Sequence, residues 1–342
     1  PPTLSASLTW RPDDPRIRSA IEADGNSLVR IVFPRGLKLG SFKTKIIAET
    51  FFQNAWLKNF LIAEKIERDD VVVIVANPRF WWPVIRNIGF RRLYYDCQDH
   101  RDALSGGMRA EKFIALEAEM VRWCEGVFAT SKALQEHILE LDKNADVHIV
   151  PNAIDWDALT GRWLTEKKRD SGRKTVGLVG SIDHEWVDRD LIHKAALKYP
   201  EFDFVLVGPI AEMSPTRAQL GKAPNVRLIG RVEYGEVGGW INSFDLGIIP
   251  FNEGDLARAT EPIKAYEYMA FGKPVLAHNL PEVEKFGDVV KVTYNDDDFL
   301  AAIKELIEKD APDLAKSRME IARQNSCENR ARQILDSLIP KP

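Results

Sequence analysis

A lysine and a glutamate three residues apart, Lys264 and Glu267, have the chemistry needed to hold a nucleotide. An ionised carboxylate has two acceptor oxygens, so Glu267 could accept hydrogen bonds from both hydroxyls of a ribose. Lys264 would supply a point charge for a phosphate. The spacing places both side chains on one face of a helix, where the same pair is also typical of a weak exposed ion pair.

Two strand-like runs end in a glycine followed by a polar or charged residue. Gly180 precedes Ser181, and its missing side chain leaves room for a phosphate beside the free N–H groups of the next helix. Gly230 precedes Arg231, which could reach a phosphate or line a base pocket. An ordinary strand-to-helix turn and a solvated arginine explain the same residues equally simply.

A dense polar cluster follows another predicted strand. Asp96, Asp99 and His100 lie within five residues, with Arg101 and Asp102 beside them. A carboxylate or imidazole at a strand end could act as a general base or position a sugar hydroxyl. The alternative is a helix start that uses one aspartate as its cap.

A segment near the N-terminus mixes basic and aromatic residues. Residues 35–60 hold Lys43, Lys45 and Lys58 beside Phe51 and Trp56. Such a mixture on one helix is compatible with a membrane-surface face. It is equally compatible with a helix whose aromatic residues belong to the core and whose lysines are solvated.

Short strand-like runs alternate with helical patterns along the chain, which is typical of parallel α/β sheets. A charged, glycine-bounded stretch at residues 161–174 predicts a linker between two series of such runs. We therefore expect two Rossmann-like parallel-sheet domains facing a cleft, with ligands beyond the carboxyl ends of the strands. The predicted strands are residues 4–8, 28–33, 71–76, 93–95, 127–129 and 147–150, then 175–179, 204–207, 226–228, 246–249, 275–277 and 289–292, followed by a helical region at 297–338.

Composition excludes several function classes. The chain has 342 residues, 45% of them hydrophobic, and a net charge of −4, which argues against a nucleic-acid binder. Three scattered cysteines fit a reducing compartment and predict no zinc site. No apolar run is long enough to cross a bilayer, and no signal peptide is visible. No G-x-G-x-x-G follows a predicted strand, which disfavours a dinucleotide-dependent oxidoreductase.

Several of these stretches, taken in order over residues 70–335, resemble the GT-B glycosyltransferases of the "group 1" family. The similarity is greatest to bacterial enzymes that build surface polysaccharides, of the teichuronic-acid type. No single motif decides the resemblance, but their joint order and spacing are specific. The motifs that carry it are YDCQD at 95–99, VFATSKAL at 127–134, VPNAID at 150–155, GLVGS at 177–181, VLVGP at 205–209, NVRLIG at 225–230, PIKAYEYMAFGKPVLA at 262–277 and SCENRA at 326–331.

The resemblance implies a role for each candidate residue. Glu267 would bind the ribose, Gly180 and Ser181 would face the diphosphate, and Arg231 would lie near the base. Lys264 would lie near the phosphates or the donor sugar, and Glu261 would be a further donor-binding residue. Asp96, Asp99 and His100 would face the acceptor, and the catalytic set would be these three with Lys264. Enzymes of this family need no bound metal, so we expect no metal or other cofactor.

The sequence departs from the family pattern at three places. The first glutamate of the E-x7-E pair would fall at Ala259, two residues from Glu261. The arginine and lysine that usually follow the phosphate-loop glycine align with Ser181 and Trp186. Arg189, Arg231 and Lys264 are therefore candidates to neutralise the diphosphate. Asn152-Ala153 replaces the usual Asn-Gly, so the linker turn is expected to differ.

We expect an acceptor domain at residues 1–152, a nucleotide-sugar domain at 153–325, and a terminal helix at 326–342 that crosses back to the first domain. The expected function is a retaining hexosyltransferase that uses a UDP- or GDP-sugar and a glycan or lipid-linked acceptor. The expected location is the cytoplasm, with peripheral membrane contact through the first domain. A nucleotide-sugar epimerase of GT-B fold and a catalytically silent GT-B binding module are the alternatives.

Overall fold

The computed structural model describes residues 54–55, 57–63, 65–98, 107–164 and 172–338. Their contacts form two compact units. The first unit contains the described residues up to Cys97, together with 107–128 and 138–148. The second contains Gln98, residues 129–137, and the described residues from Ile149 onward.

The first unit is built around a four-stranded sheet with the strand order β1-β2-β3-β4. Its strands are β1 (Val72–Val75), β2 (Arg92–Cys97), β3 (Gly126–Ala129) and β4 (Val147–Ile149), and β1 and β2 are parallel. The helices that follow β1, β2 and β3 are α1 (Pro78–Ile85), α2 (Gly107–Val121) and α3 (Lys132–Leu141), and α3 belongs to this unit only from Ile138 onward. A buried hydrogen bond from the Tyr95 hydroxyl to Glu117 Oε1 (2.7 Å) ties β2 to α2.

The second unit contains a six-stranded sheet in which every pair of neighbouring strands is parallel. Its order, β10-β9-β8-β5-β6-β7, is that of a doubly wound sheet, with the direction of winding reversing between β5 and β8. Ligands of such sheets bind outside the carboxyl ends of the strands at this reversal. The strands are β5 (Thr175–Val179), β6 (Asp203–Val207), β7 (Val226–Gly230), β8 (Leu246–Pro250), β9 (Val275–His278) and β10 (Val290–Thr293).

Helices connect and follow these strands. They are α4 (Trp156–Thr160), α5 (Arg189–Lys198), α6 (Pro215–Leu220), α7 (Tyr234–Ser243), α8 (Asp255–Ala259), α9 (Ile263–Ala270), α10 (Asp296–Lys309), α11 (Pro312–Gln324) and α12 (Cys327–Leu338), with 3₁₀ turns at Arg68–Asp70, Gly161–Leu164 and Pro281–Val289. Aspartates cap the first turns of α4 and α5, because Asp155 accepts from the Ala158 N–H and Asp188 from the Leu191 N–H.

The sheet of the second unit is covered on both faces. Alternate residues of β6 belong to two separate apolar clusters, with Val205 and Val207 in one and Phe204 and Leu206 in the other. Strands buried on both faces read as continuous apolar runs, which is why each was recognisable in the sequence.

The ten strands predicted from residue 71 onward are confirmed, with boundaries shifted by two residues at most. The helical region predicted for 297–338 divides into α10, α11 and α12. Strands predicted at 4–8 and 28–33 lie outside the described residues, as does most of the basic and aromatic segment 35–60. The domain boundary after residue 152 and the crossing of 326–342 to the first domain stay predictions.

Candidate functional site

Helix α9 carries both Lys264 and Glu267, and the sequence determines where it starts and stops. Pro262 precedes the first residue, and Gly272 ends the helix in the left-handed conformation (φ 65°). The N–H groups of Gly272 and Lys273 donate to the carbonyls of Met269 (2.9 Å) and Tyr268 (3.1 Å), which satisfies two carbonyls of the last turn. The helix is therefore a well-terminated element directly before β9.

Tyr268 fixes α9 against the sheet. Its hydroxyl accepts a hydrogen bond from the Val179 N–H (2.9 Å) at the end of β5. Its ring fills the space above Gly247 of β8, where a Cβ would lie 2.3 Å from ring carbon Cδ2. Tyr268 thus touches β5 and β8, the two strands between which the winding of the sheet reverses. Lys264 lies four residues before Tyr268 and therefore on the same side of α9.

Lys264 lies directly against Gly180. A Cβ placed on Gly180 would be 2.4 Å from Lys264 Cε and 3.0 Å from its Nζ. Gly180 has φ 131°, and its N–H donates to the Val207 carbonyl (2.9 Å). The structure therefore brings together two residues that lie 84 positions apart, and only a residue without a side chain leaves this space for the lysine.

Lys264 and Glu267 affect each other's pKa values, and both side chains are partly or fully shielded from solvent. Burial lowers the pKa of Lys264 and raises the pKa of Glu267, and the opposite charge of each partner counteracts part of the shift in the other. In the part of the chain that the structure describes, neither side chain forms a hydrogen bond or an ion pair. Each therefore keeps its hydrogen-bonding capacity for a ligand.

Three neighbouring strands end in glycine beside this pair. Gly180, Gly208 and Gly230 follow or end β5, β6 and β7. A Cβ on Gly208 would lie 1.7 Å from the Gly180 carbonyl oxygen, so the backbones touch at that point. The Gly208 N–H donates to the Gly230 carbonyl (2.9 Å). At the carboxyl edge of the sheet, these glycines have no side chains that would keep a ligand away from the backbone.

A cavity of about 450 Å³ opens at this edge. It brings together Ser181 and Arg231, which the sequence had nominated separately. Its other lining residues come from the loops after β5 and β6. They are Asp183, His184, Pro209, Ile210 and Ala211.

Asp183 is a residue of this cavity that the sequence predictions missed. Its carboxylate accepts from the Ala211 N–H (2.8 Å) and from the Ser214 hydroxyl, so it ties the loop after β6 to the loop after β5. Burial acts to raise the pKa of Asp183, but these hydrogen bonds outweigh it and lower the pKa overall. The only sequence signal was an aspartate three residues after the strand-end glycine.

Arg189, a candidate partner for the diphosphate, has another role in the structure. Its Nη1 donates to the Thr216 hydroxyl (2.9 Å), and its charge contributes to lowering the pKa of Asp183. Arg189 therefore supports the loop after β6. Lys264 and Arg231 are the candidates whose charge faces the strand ends.

Glu261 is buried and has protein partners. Its carboxylate accepts from the Lys285 ammonium (2.7 Å), the Asn152 N–H (3.2 Å) and the Tyr266 hydroxyl. These bonds occupy the carboxylate within the protein. That Glu261 binds the donor stays a prediction, which its surroundings do not favour.

The acceptor residues belong to another part of the chain. Asp96 lies in β2 of the first unit with a partly exposed side chain, whereas Asp99 and His100 lie outside the described residues. Among the residues that the structure describes, no three His, Cys, Asp or Glu side chains cluster as a metal site would require. No described helix is long and apolar enough to cross a membrane.

The sequence matches known proteins in the region that forms this site. A model of the family described as "Glycosyl transferases group 1" matches residues 173–309. Over 265 residues the chain is 27% identical to a proposed teichuronic acid biosynthesis glycosyltransferase, TuaH, of Bacillus subtilis (strain 168). That alignment covers 71% of this chain and 66% of the relative, just under two thirds of its length.

Solved structures share the architecture. Sucrose-phosphate synthase from Thermosynechococcus elongatus superposes with a TM-score of 0.69 at 12% identity, over 90% of this chain and 84% of the other. Anabaena Alr3699/HepE superposes with a TM-score of 0.65 at 17% identity, over 94% and 88% of the two chains. At these identities the likeness establishes the fold. Residues 173–309 are thus similar to the group 1 glycosyltransferases, and the chain has the GT-B fold of these structures.

Proposed function

We propose that this protein is a glycosyltransferase that moves a sugar from a nucleotide-sugar donor to a glycan or lipid-linked acceptor. The observation that carries the proposal is the placement of Lys264 on Gly180, beside Glu267, at the carboxyl edge of a doubly wound sheet. A cation and a carboxylate that make no hydrogen bond within the described residues match a nucleoside diphosphate, which offers anionic phosphates and paired ribose hydroxyls.

Each residue has a defined part in the reaction. The bond between the sugar and the diphosphate breaks, and negative charge builds on the departing phosphate oxygen. A partly buried lysine stabilises such charge more strongly than an exposed one because less water competes with it. Lys264 would be the main cation, Arg231 in the cavity lining a second one, and Glu267 would accept hydrogen bonds from the ribose hydroxyls. The missing side chain of Gly180 would leave room for the phosphates to approach the N–H groups of the loop that follows β5.

UDP is the first donor nucleotide to test. The Anabaena structure is titled as a complex with UDP and glucose, and the relative from Bacillus subtilis is named for teichuronic acid biosynthesis. By analogy we propose a UDP-sugar, with a GDP-sugar as the alternative, and a surface polysaccharide or glycolipid as the acceptor. Retention at the transferred carbon, a cytoplasmic location with peripheral membrane contact, and independence from metal ions belong to the same proposal.

A thermal-shift panel of UDP, GDP, TDP and CMP tests donor binding directly. A ligand at a hundred times its Kd stabilises the folded state by about 2.7 kcal/mol, which raises Tm measurably. Wild-type protein should respond to one nucleotide, and the Glu267→Ala variant should not. The absence of any response would count against nucleotide-sugar chemistry.

The reaction itself separates the alternatives. Incubation with the matching nucleotide-sugar and a glycan acceptor should release the nucleotide and extend the acceptor. An altered sugar nucleotide formed without any acceptor would identify an epimerase. Nucleotide binding that is unchanged in Glu267→Ala, with no product, would favour a silent binding module.

A further inference from the structure

Glu261 connects four separate parts of the second unit. It lies two residues before α9 and accepts from Lys285 in the 3₁₀ turn Pro281–Val289 and from Tyr266 within α9. Asn152 makes two hydrogen bonds with it. The Asn152 N–H donates to Glu261 Oε2 (3.2 Å), and the Asn152 side-chain amide donates to the Glu261 carbonyl (2.7 Å). The same residue therefore holds a chain segment 109 residues away.

The segment after Asn152 is held from its other side by the start of α12. The Ile154 N–H donates to the Asn325 carbonyl (3.2 Å), and the Cys327 N–H donates to the Ile154 carbonyl (2.8 Å). Arg330 of α12 binds the Asn325 side chain. Residues 152–154 are thus fixed between α12 and the residue that leads into α9.

We propose that Glu261 is a positioning residue that fixes the first turn of α9, and with it Lys264, to the segment 152–154. Only Pro262 and Ile263 separate Glu261 from Lys264, so the position of one constrains the other. The Pro262 N-cap makes no side-chain cap bond, so Glu261 and its partners supply the fixed point that a capping side chain would otherwise provide. The consequence for nucleotide binding rests on the function proposed above, whereas the mechanical connection does not.

The chemistry of the network favours this role over ligand binding. The Glu261 side chain is fully buried, and Lys285, whose side chain is 36% exposed, brings the compensating charge from the solvent side. Burying a carboxylate is costly unless it is paired and hydrogen-bonded, and three donors meet that need. A ligand that recruited this carboxylate would have to break bonds in three elements.

Hydrogen exchange on the ligand-free protein tests the connection without any assumption about function. The amides of Glu267 to Ala270 report opening of α9, since their acceptors lie in its first turn. Glu261→Gln, which loses the charge that binds Lys285, should speed their exchange roughly tenfold, the effect of losing one or two hydrogen bonds. Asn152→Ala should act in the same direction from a distant part of the chain, and it serves if Glu261→Gln does not fold.

A matched control removes an ion pair elsewhere. Glu305→Gln breaks the exposed i,i+4 pair with Lys309 in α10 and should leave exchange in α9 unchanged. Exchange in α9 that stays at the wild-type rate in both Glu261→Gln and Asn152→Ala would overturn the proposal, even if both variants lowered Tm.

UDP affinity, measured by calorimetry well below the variants' Tm, completes the test. Folded Glu261→Gln should bind UDP about tenfold more weakly, a change of 1.4 kcal/mol. Equal affinity of the variant and the wild type would refute the link to Lys264. Failure of wild-type protein to bind any nucleotide of the panel would instead refute the proposed function, and the exchange result would still decide the positioning role.

Discussion

Lys264 and Glu267 acquire their chemistry from where they lie. The same two side chains on an exposed helix would form a pair worth a few tenths of a kcal/mol. Here burial raises the pKa of Glu267 and lowers the pKa of Lys264, so each is destabilised in its charged form until a ligand compensates it. At the scale of single residues, the site is a cation and a carboxylate with unused bonding capacity.

Replacing Glu267 by glutamine should weaken nucleotide binding by roughly tenfold to a hundredfold. Hydrogen bonds to a charged acceptor contribute about 1.5–3 kcal/mol, and the amide loses the charge and one acceptor oxygen. Titration calorimetry with UDP measures the change. Glu236→Gln, which breaks only an exposed pair with Arg162, is the control and should bind as the wild type does. Equal affinities of Glu267→Gln and the wild type would remove Glu267 from the site.

Nucleotide affinity should fall at both ends of the pH range. Glu267 must be ionised to accept two hydroxyls, so affinity is lost as pH falls through its pKa, which lies above the ordinary value of 4.5. Lys264 must be protonated, so affinity is lost as pH rises through its pKa, which lies below 10.5. Nucleotide affinity should therefore begin to fall closer to neutral pH, on both the acidic and the alkaline side, than the ordinary pKa values of Glu and Lys would predict.

Two variants show which residue causes the loss of nucleotide affinity at each end of the pH range. The pH profile of nucleotide affinity in Lys264→Met should lack the alkaline limb, and the profile of Glu267→Gln should lack the acidic one. Titration of the nucleotide itself is common to all three proteins and cancels in the comparison. An alkaline limb that persists unchanged in Lys264→Met would belong to another group.

At the scale of elements, the site depends on a close approach between a strand end and a helix. Helix α9 is placed by Tyr268, whose hydroxyl meets β5 and whose ring covers Gly247 of β8. Gly180 then leaves the space that Lys264 occupies. Under the proposed function Gly180 would have two purposes, since it would leave room for the donor phosphates and also admits Lys264, the candidate to replace the missing basic pair.

Gly180→Ala should abolish detectable nucleotide binding. The new Cβ would meet Lys264 Cε at 2.4 Å, and a residue with φ 131° is strained unless it is glycine. The lysine must move away from the strand end, and the backbone must shift with it. Gly235→Ala in α7 is the control, because a Cβ there meets nothing within 4 Å. Thermal-shift titration with UDP compares the two, and a normal response of Gly180→Ala would contradict the placement of Lys264.

At the scale of the whole molecule, a hydrogen bond from α11 fixes the C-terminal end of α9. Arg318 of α11 is 2% exposed and donates through Nε to the Gly272 carbonyl (2.9 Å), just after the end of α9. The same guanidinium pairs with Asp310. One buried arginine therefore joins the C-terminal helices to the element that carries the site.

Arg318→Met should lower the free energy of unfolding by about 2–3 kcal/mol. The change leaves a carbonyl and a carboxylate without their buried donor, which costs more than the lost bonds themselves. Urea denaturation followed by tryptophan fluorescence measures it. Lys316→Met on the same helix, whose side chain is 80% exposed, should stay within about 0.5 kcal/mol of the wild type. A loss of equal size in both variants would argue against a specific role for Arg318.

The parallel strands were readable in the sequence because strands buried on both faces must be continuously apolar. The end of helix α9 was readable because a glycine with a proline two residues later is typical of a helix C-terminus. Gly180, Lys264 and Glu267 could be nominated from their chemistry and from their order along the chain. All of these are local properties, which neighbouring residues determine.

Contacts between distant residues were decided only by the tertiary structure. Glu261 was nominated for the donor from its position, yet its carboxylate meets Asn152 and Lys285, which no local pattern could reveal. Arg189 was a candidate for the phosphates and instead binds Thr216. A side chain at a strand end can turn toward a ligand or toward a loop, and the same residue type suits both. Which of the two occurs depends on how elements that are far apart in the chain pack together. The sequence alone therefore identified residues with suitable chemistry, and the tertiary structure decided which groups each of them contacts.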